Sequence, residues 1–151
     1  MEAAAVPAIT RFRGDYHFLS NFYEADVPYG GKLYPTAEHA YQAAKTGDPE
    51  VKEAIRRAKT PGEAKRMGRR AARRLDWLEV RRSIMYAVVQ AKFLRHADLR
   101  QKLLDTGDAV LIEGNDWGDR YWGMVENEAG TLKGENHLGQ ILMRVRAELR
   151  R

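Results

Sequence analysis

The chain has 151 residues, 44% of them hydrophobic and 31% charged, the makeup of one soluble globular domain rather than a disordered or membrane protein. It contains no cysteine, which excludes disulfides, thiolate nucleophiles and Cys-ligated metals, and its formal charge is +5. No run approaches the ~20 apolar residues of a membrane-spanning helix, and no basic segment precedes an apolar one at the start, so a cytoplasmic protein without membrane contact is expected.

In chain order, the stretch to about Pro35 reads as extended segments and turns. Tyr29-Gly30-Gly31-Lys32 is the turn of a short hairpin between Ala25-Asp26-Val27 and Leu33-Tyr34. Thr36 is the expected N-cap of a helix that runs to Lys45 before Gly47 stops it. Asp48-Pro49 opens a second helix, with Asp as cap and Pro in the first turn. Thr60-Pro61-Gly62-Glu63 has capping-box spacing and opens a third; Asp76-Trp77-Leu78-Glu79, a looser box, opens the longest. Another helix covers roughly Ala97 to Asp105 and ends at Gly107. Ala109–Glu113 and Tyr121–Val125 read as strands, and Asn136 as the cap of a last helix with Leu138, Ile141, Leu142 and Val145 on its apolar face. Helices and strands mix without a βαβα repeat, which predicts an α+β fold, helix-rich with a small β-sheet. The expected organisation is an N-terminal tail over 1–10 and one domain over 11–151.

Three stretches carry candidate chemistry. On the first helix Glu38, Gln42 and Lys45 fall at i, i+4 and i+7, a carboxylate, an amide and an ammonium on one face. That row reads either as a reacting edge or as an exposed polar stripe. His39 points elsewhere, without a second His at i+4 to make a zinc site, and is left between a structural and a substrate-binding role. The segment 113–123 packs three acidic residues, two tryptophans and three glycines into a turn after a strand, where Trp stacks on flat bases and Asp binds ribose hydroxyls. Gly134-Glu135-Asn136-His137-Leu138-Gly139 leads into the last helix, whose N–H groups offer a phosphate site. Between Lys52 and Arg74 stand ten basic residues against two glutamates, a local charge of +8 that leaves −3 elsewhere. Such a block attracts phosphate on a nucleotide or a nucleic acid, and equally reads as a solvated Arg-rich face.

Several separated pieces share one pattern. Phe12-x-Gly14, Leu19-Ser20-Asn21-Phe22-Tyr23 and Tyr34-Pro35-Thr36-Ala37-Glu38-His39-Ala40-Tyr41-Gln42-Ala43-Ala44-Lys45 come first. Arg74-x-Asp76-Trp77, Met85, Lys92-Phe93, Leu103-Leu104-x-Thr106-Gly107, Asp119-x-x-Trp122-Gly123 and Gly134-x-Asn136-x-Leu138-Gly139-x-x-Leu142-Met143-x-x-Arg146 follow in order. The set, spanning about residues 11 to 149, resembles the NADAR family, also called YbiA-like. One departure stands out: the family's tryptophan-glycine-isoleucine-glycine element is Trp122-Gly123-Met124-Val125 here, without its second glycine.

The resemblance implies an N-glycosidase, a hydrolase of bonds between ribose C1′ and nitrogen. The expected substrate is a phosphorylated ribosylamine of riboflavin biosynthesis, releasing ribose 5-phosphate. The alternatives are removal of ADP-ribose from guanine in nucleic acid, reached through the Lys52–Arg74 block, or non-catalytic ADP-ribose binding. The implied catalytic residues are Glu38, Asp119 and Lys45, with Asn21, Tyr41, Gln42, Trp77, Trp122 and Asn136 binding substrate. Two acids suit glycosidic cleavage, and Lys45 suits either a phosphate contact or attack on the opened sugar. Neither a metal nor another cofactor is expected.

Overall fold

A computed structural model describes residues 7–151. In chain order it contains β1 (Ala8–Ile9), a 3₁₀ helix (Gly14–Leu19), β2 (Val27–Tyr29), β3 (Lys32–Tyr34) and α1 (Ala37–Ala44). Then come α2 (Pro49–Arg56), α3 (Pro61–Arg70), α4 (Trp77–Arg95) and α5 (Ala97–Asp105). The chain ends with β4 (Val110–Leu111), β5 (Gly114–Asn115), β6 (Met124–Glu126), β7 (Leu132–Lys133) and α6 (His137–Leu149). This is the expected α+β mixture, but the strands form three small sheets instead of one: β1–β4 parallel, the β2–β3 hairpin, and β5–β6–β7. Of the tail expected over 1–10, residues 1–6 lie outside the described residues, and Ala8–Ile9 form β1.

The chain divides into two compact units, Asn21–Ala97 and the remainder. In the first, Gly30 and Gly31 take φ of 57° and 80°, the left-handed pair that a tight hairpin turn needs, so β2 and β3 pair as expected. Three helix starts follow their caps: Thr36 accepts from His39 N, Asp48 from Glu50 N and Thr60 from Glu63 N. The fourth does not. Asp76 makes no side-chain cap bond because its carboxylate is paired with Arg74, Nε to Oδ1 at 2.6 Å. All eight residues of α1 are buried, under α2, α3, α4 and the hairpin. Four of the eight are alanines, which let neighbouring backbones approach closely.

In the second unit α6 lies on β4, burying Leu138, Ile141, Leu142 and Val145 as the periodicity requires. A Cβ at Gly139 would overlap the Leu111 carbonyl oxygen, so only glycine permits this approach. The expected strands 109–113 and 121–125 shrink to Val110–Leu111 and Met124–Glu126. The reason is that Tyr121 and Trp122 spend their backbone groups elsewhere. Their N–H groups donate to Asp119 Oδ1, and their carbonyls accept from His137 and Leu138 at the start of α6. Neither residue has a backbone group left for a ladder.

Lys92 on α4 is fully buried, its Nζ 5.5 Å from the Tyr23 ring and 5.2 Å from that of Phe93. Burial pushes its ammonium group down to about 7. Below that pH the amine is charged in both folded and unfolded chains, and burial costs its full amount. Between there and the unfolded value of about 10.4 only the unfolded chain keeps the proton, so stability rises with pH by about 1.4 kcal/mol per unit. Lys92→Met is expected to stabilise the protein at neutral pH and to flatten this rise in unfolding midpoints measured from about pH 7 to about pH 10. Equal slopes in the two proteins would show that Lys92 does not carry the dependence.

Candidate active site

Helix α1 places the Glu38–Gln42–Lys45 row. Its N-terminus is held by the Thr36 cap and by Glu38 N donating to the Asn21 carbonyl at 3.0 Å. Glu38 is buried at 7% exposure and Gln42 at 3%, so the row is not the solvated stripe that its spacing also allowed. Gln42 Nε2 donates to Glu38 Oε1 at 2.8 Å, orienting one carboxylate oxygen. Gln42 Oε1 is buried without a hydrogen-bond partner among the described residues. It sits against Gly68 of α3, where any Cβ would overlap it.

Lys45 follows the last turn of α1. Its Nζ lies 5.5 Å from the centre of Tyr41 and 6.0 Å from that of Trp77, two buried rings 5.2 Å apart and tilted by 54°. Its carbonyl accepts from Arg74 N at 2.7 Å, which pins the segment after α3 to the end of α1. Two opposed influences act on this amine. In the structure burial is the larger and lowers the pKa; Glu38 raises it, and Arg73, Lys65 and Arg69 lower it further. The net direction is down. Lys45 therefore gives up its proton more readily than an ordinary lysine.

Asn21, also buried, donates Nδ2–H to Met85 Sδ at 3.3 Å. His39 has a structural role. Its Nε2 donates to the Ala58 carbonyl at 2.9 Å, which leaves Nδ1 to accept from the Thr36 hydroxyl at 2.8 Å, and burial lowers its pKa. The Asn21–Ala97 unit thus gathers Asn21, Glu38, Tyr41, Gln42, Lys45 and Trp77.

Asp119, Trp122 and Asn136 belong to the other unit. Asp119 Oδ1 accepts from Tyr121 N at 3.0 Å and Trp122 N at 2.8 Å, while Asn115 binds both backbone groups of Asp119. Trp122 packs edge-on to Tyr121, ring centres 4.8 Å apart. Asn136 corrects one expectation. It takes a left-handed φ of 54° and makes no side-chain cap bond; its amide accepts from Glu113 N and donates to the Leu111 carbonyl, tying α6 to β4. A phosphate site at the start of α6 is also ruled out, since the N–H groups of residues 135 to 138 all donate to carbonyls of residues 120 to 123. Gly68 and Asn115 escaped the sequence reading. An isolated glycine inside an Arg-rich helix was the available signal for the first; Asn115 had none.

The NADAR domain profile matches residues 10–150. The chain belongs to the NADAR family. It is 41% identical over 137 residues to the N-glycosidase YbiA of Escherichia coli, covering 89% of this chain and 82% of that protein. It is also 38% identical to a riboflavin biosynthesis protein of Vibrio vulnificus, matching 89% of this chain but 36% of that longer protein. The NMR structure of E. coli YbiA superimposes with a TM-score of 0.81 at 38% identity, over 97% of this chain and 88% of that one. Among the described residues no group of His, Cys, Asp and Glu is arranged to hold a metal, and no helix is long and apolar enough to cross a membrane.

The Gly68 contact makes a test of how this NADAR site is held. Gly68→Ala forces the Gln42 amide to move, and with it the hydrogen bond on Glu38. The variant is expected to fold, with circular dichroism unchanged, and to lose roughly tenfold or more in kcat, as misplaced catalytic groups do. Full activity would show that Glu38 needs no bracing from Gln42.

Proposed function

We propose that this N-glycosidase splits the C1′–N bond of a phosphorylated ribosylamine, of the kind formed in riboflavin biosynthesis, and releases ribose 5-phosphate. The observation that carries the reading is a buried carboxylate, Glu38, braced by Gln42 on the helix face that also bears Lys45. The name of the Vibrio relative supports the substrate class. As the bond breaks, positive charge develops on C1′ and the ring oxygen. A fixed carboxylate in a site shielded from water binds that charge more tightly than it binds the neutral substrate. Water then adds to C1′, one proton passes to the leaving nitrogen, and the products are the free sugar phosphate and an amine. Tyr41 and Trp77 hold the Lys45 side chain, and Asn21 and Gln42 set the position of Glu38. In this reading the Asp119 carboxylate presents Trp122 through the turn it builds.

Glu38→Gln keeps the shape and the acceptor for Gln42 but removes the charge. Turnover of a ribosylaminopyrimidine phosphate, followed as released ribose 5-phosphate, is expected to fall about a hundredfold or more. Near-normal turnover by the folded variant would remove Glu38 from the chemistry.

The lowered pKa of Lys45 favours a second reading, release of ADP-ribose from guanine in nucleic acid through an imine. The neutral amine would attack C1′ of the ring-opened sugar and expel the base nitrogen, and water would later restore lysine and sugar. Under the first reading, borohydride added during turnover traps no adduct, and Lys45→Arg keeps much of the activity because it keeps the charge. A sugar adduct found on Lys45 by mass spectrometry, with Lys45→Arg inactive, would put the second reading first.

A further inference from the structure

The Lys52–Arg74 block is not one uniform surface. Arg56 and Arg57 are paired with Glu53, Arg74 is paired with Asp76, and Lys52 donates to the Ala43 carbonyl. Lys65 and Arg69 are placed differently on α3. They lie four residues apart on α3, flanking Gly68, the residue that presses on Gln42 of α1. Lys65 Nζ also lies 5.9 Å from the ring of Phe22, next to Asn21, whose carbonyl holds Glu38 N. Arg73 is brought to the end of α1 by the 2.7 Å bond from Arg74 N to the Lys45 carbonyl. Arg69 and Arg73 are exposed and in no salt bridge among the described residues.

We propose that Lys65, Arg69 and Arg73, with Lys45, form a subsite for a phosphate monoester, and that it takes the 5′-phosphate of the substrate. The substrate part of this inference rests on the proposed function; the phosphate site is testable without it. The anomeric carbon and the 5′-phosphate are at opposite ends of the sugar, as Glu38 and Lys45 are at opposite ends of the α1 row. Four cations held beside one carboxylate repel one another, and a dianion relieves that repulsion. The same three residues depress the pKa of Lys45, which shows that their fields reach its amine. A bound phosphate dianion therefore raises the pKa of Lys45, opposing the lowering by the three cations.

The test is calorimetric titration of the full chain with ribose 5-phosphate and with inorganic phosphate. Arg69→Gln/Arg73→Gln is expected to weaken ribose 5-phosphate binding by roughly tenfold or more, the usual scale for losing charged hydrogen bonds. Arg66→Gln/Arg70→Gln, on a neighbouring row of the same helix, is expected to leave it unchanged. Equal weakening by the two pairs would reduce the site to a diffuse field and overturn the proposal, as would unaltered binding by the first pair. Tighter binding of ADP-ribose than of ribose 5-phosphate would overturn the monoester assignment. With a phosphorylated ribosylamine the first pair should raise KM, and its loss in kcat/KM should be smaller with the dephosphorylated analogue. If the wild-type chain turns over neither compound while ribose 5-phosphate binding still depends on Arg69 and Arg73, the functional reading fails and the subsite stands.

Discussion

Glu38 lies on a helix buried along its whole length, and a carboxylate removed from water must be compensated by hydrogen bonds or opposite charge. Much of the Asn21–Ala97 unit is organised around that requirement. The Asn21 carbonyl takes the Glu38 N–H, Gln42 supplies a donor to the carboxylate, and Gly68 is bare so that the Gln42 amide can fit against α3. The cations of α3 and the following segment stand close enough for their fields to reach the row. The fixed polar groups that compensate the buried charge are also what preorganises it for a developing cation. Stability and chemistry use the same contacts here.

What could be read from the sequence depended on how local its physics was. A cap is decided within one turn, so Thr36, Asp48 and Thr60 announced their helices, and the Gly30-Gly31 pair announced its hairpin. Asp76 and Asn136 occupy cap positions but bond elsewhere, one to an arginine two residues away and the other to backbone more than twenty residues away. The strand expected over 121–125 failed for the same reason. Its apolar pattern was right, but the carboxylate of Asp119 and the start of α6 claimed the backbone groups first.

The candidate site shows the same division. Helical spacing placed Glu38, Gln42 and Lys45 on one face, and the family resemblance gave that face a chemistry. Whether the face was wet or buried depended on α2, α3 and α4, which no spacing within α1 encodes. The basic block was visible as a count of charges. Its division into arginines paired with Glu53 or Asp76 and cations beside Lys45 was not, because it depends on which side of α3 packs on Gln42.

Three lysines of the Asn21–Ala97 unit, Lys45, Lys52 and Lys92, have lowered pKa values, and for Lys45 and Lys92 the difference in cause separates their roles. Lys92 is shifted by burial alone, so its proton answers to pH and to the integrity of the core. Lys45 is shifted by burial together with three cations and against one carboxylate. Two of those cations, Arg69 and Arg73, are exposed to solvent and reachable by an anion. A fixed environment cannot make an amine respond to a ligand; mobile counter-charge next to it can. Lys45 is placed so that an anion held by its neighbours changes its proton affinity, whereas the pKa of Lys92 is lowered by burial with no neighbouring charge among its causes. That asymmetry suits a side chain whose hold on its proton is set by what its neighbours bind.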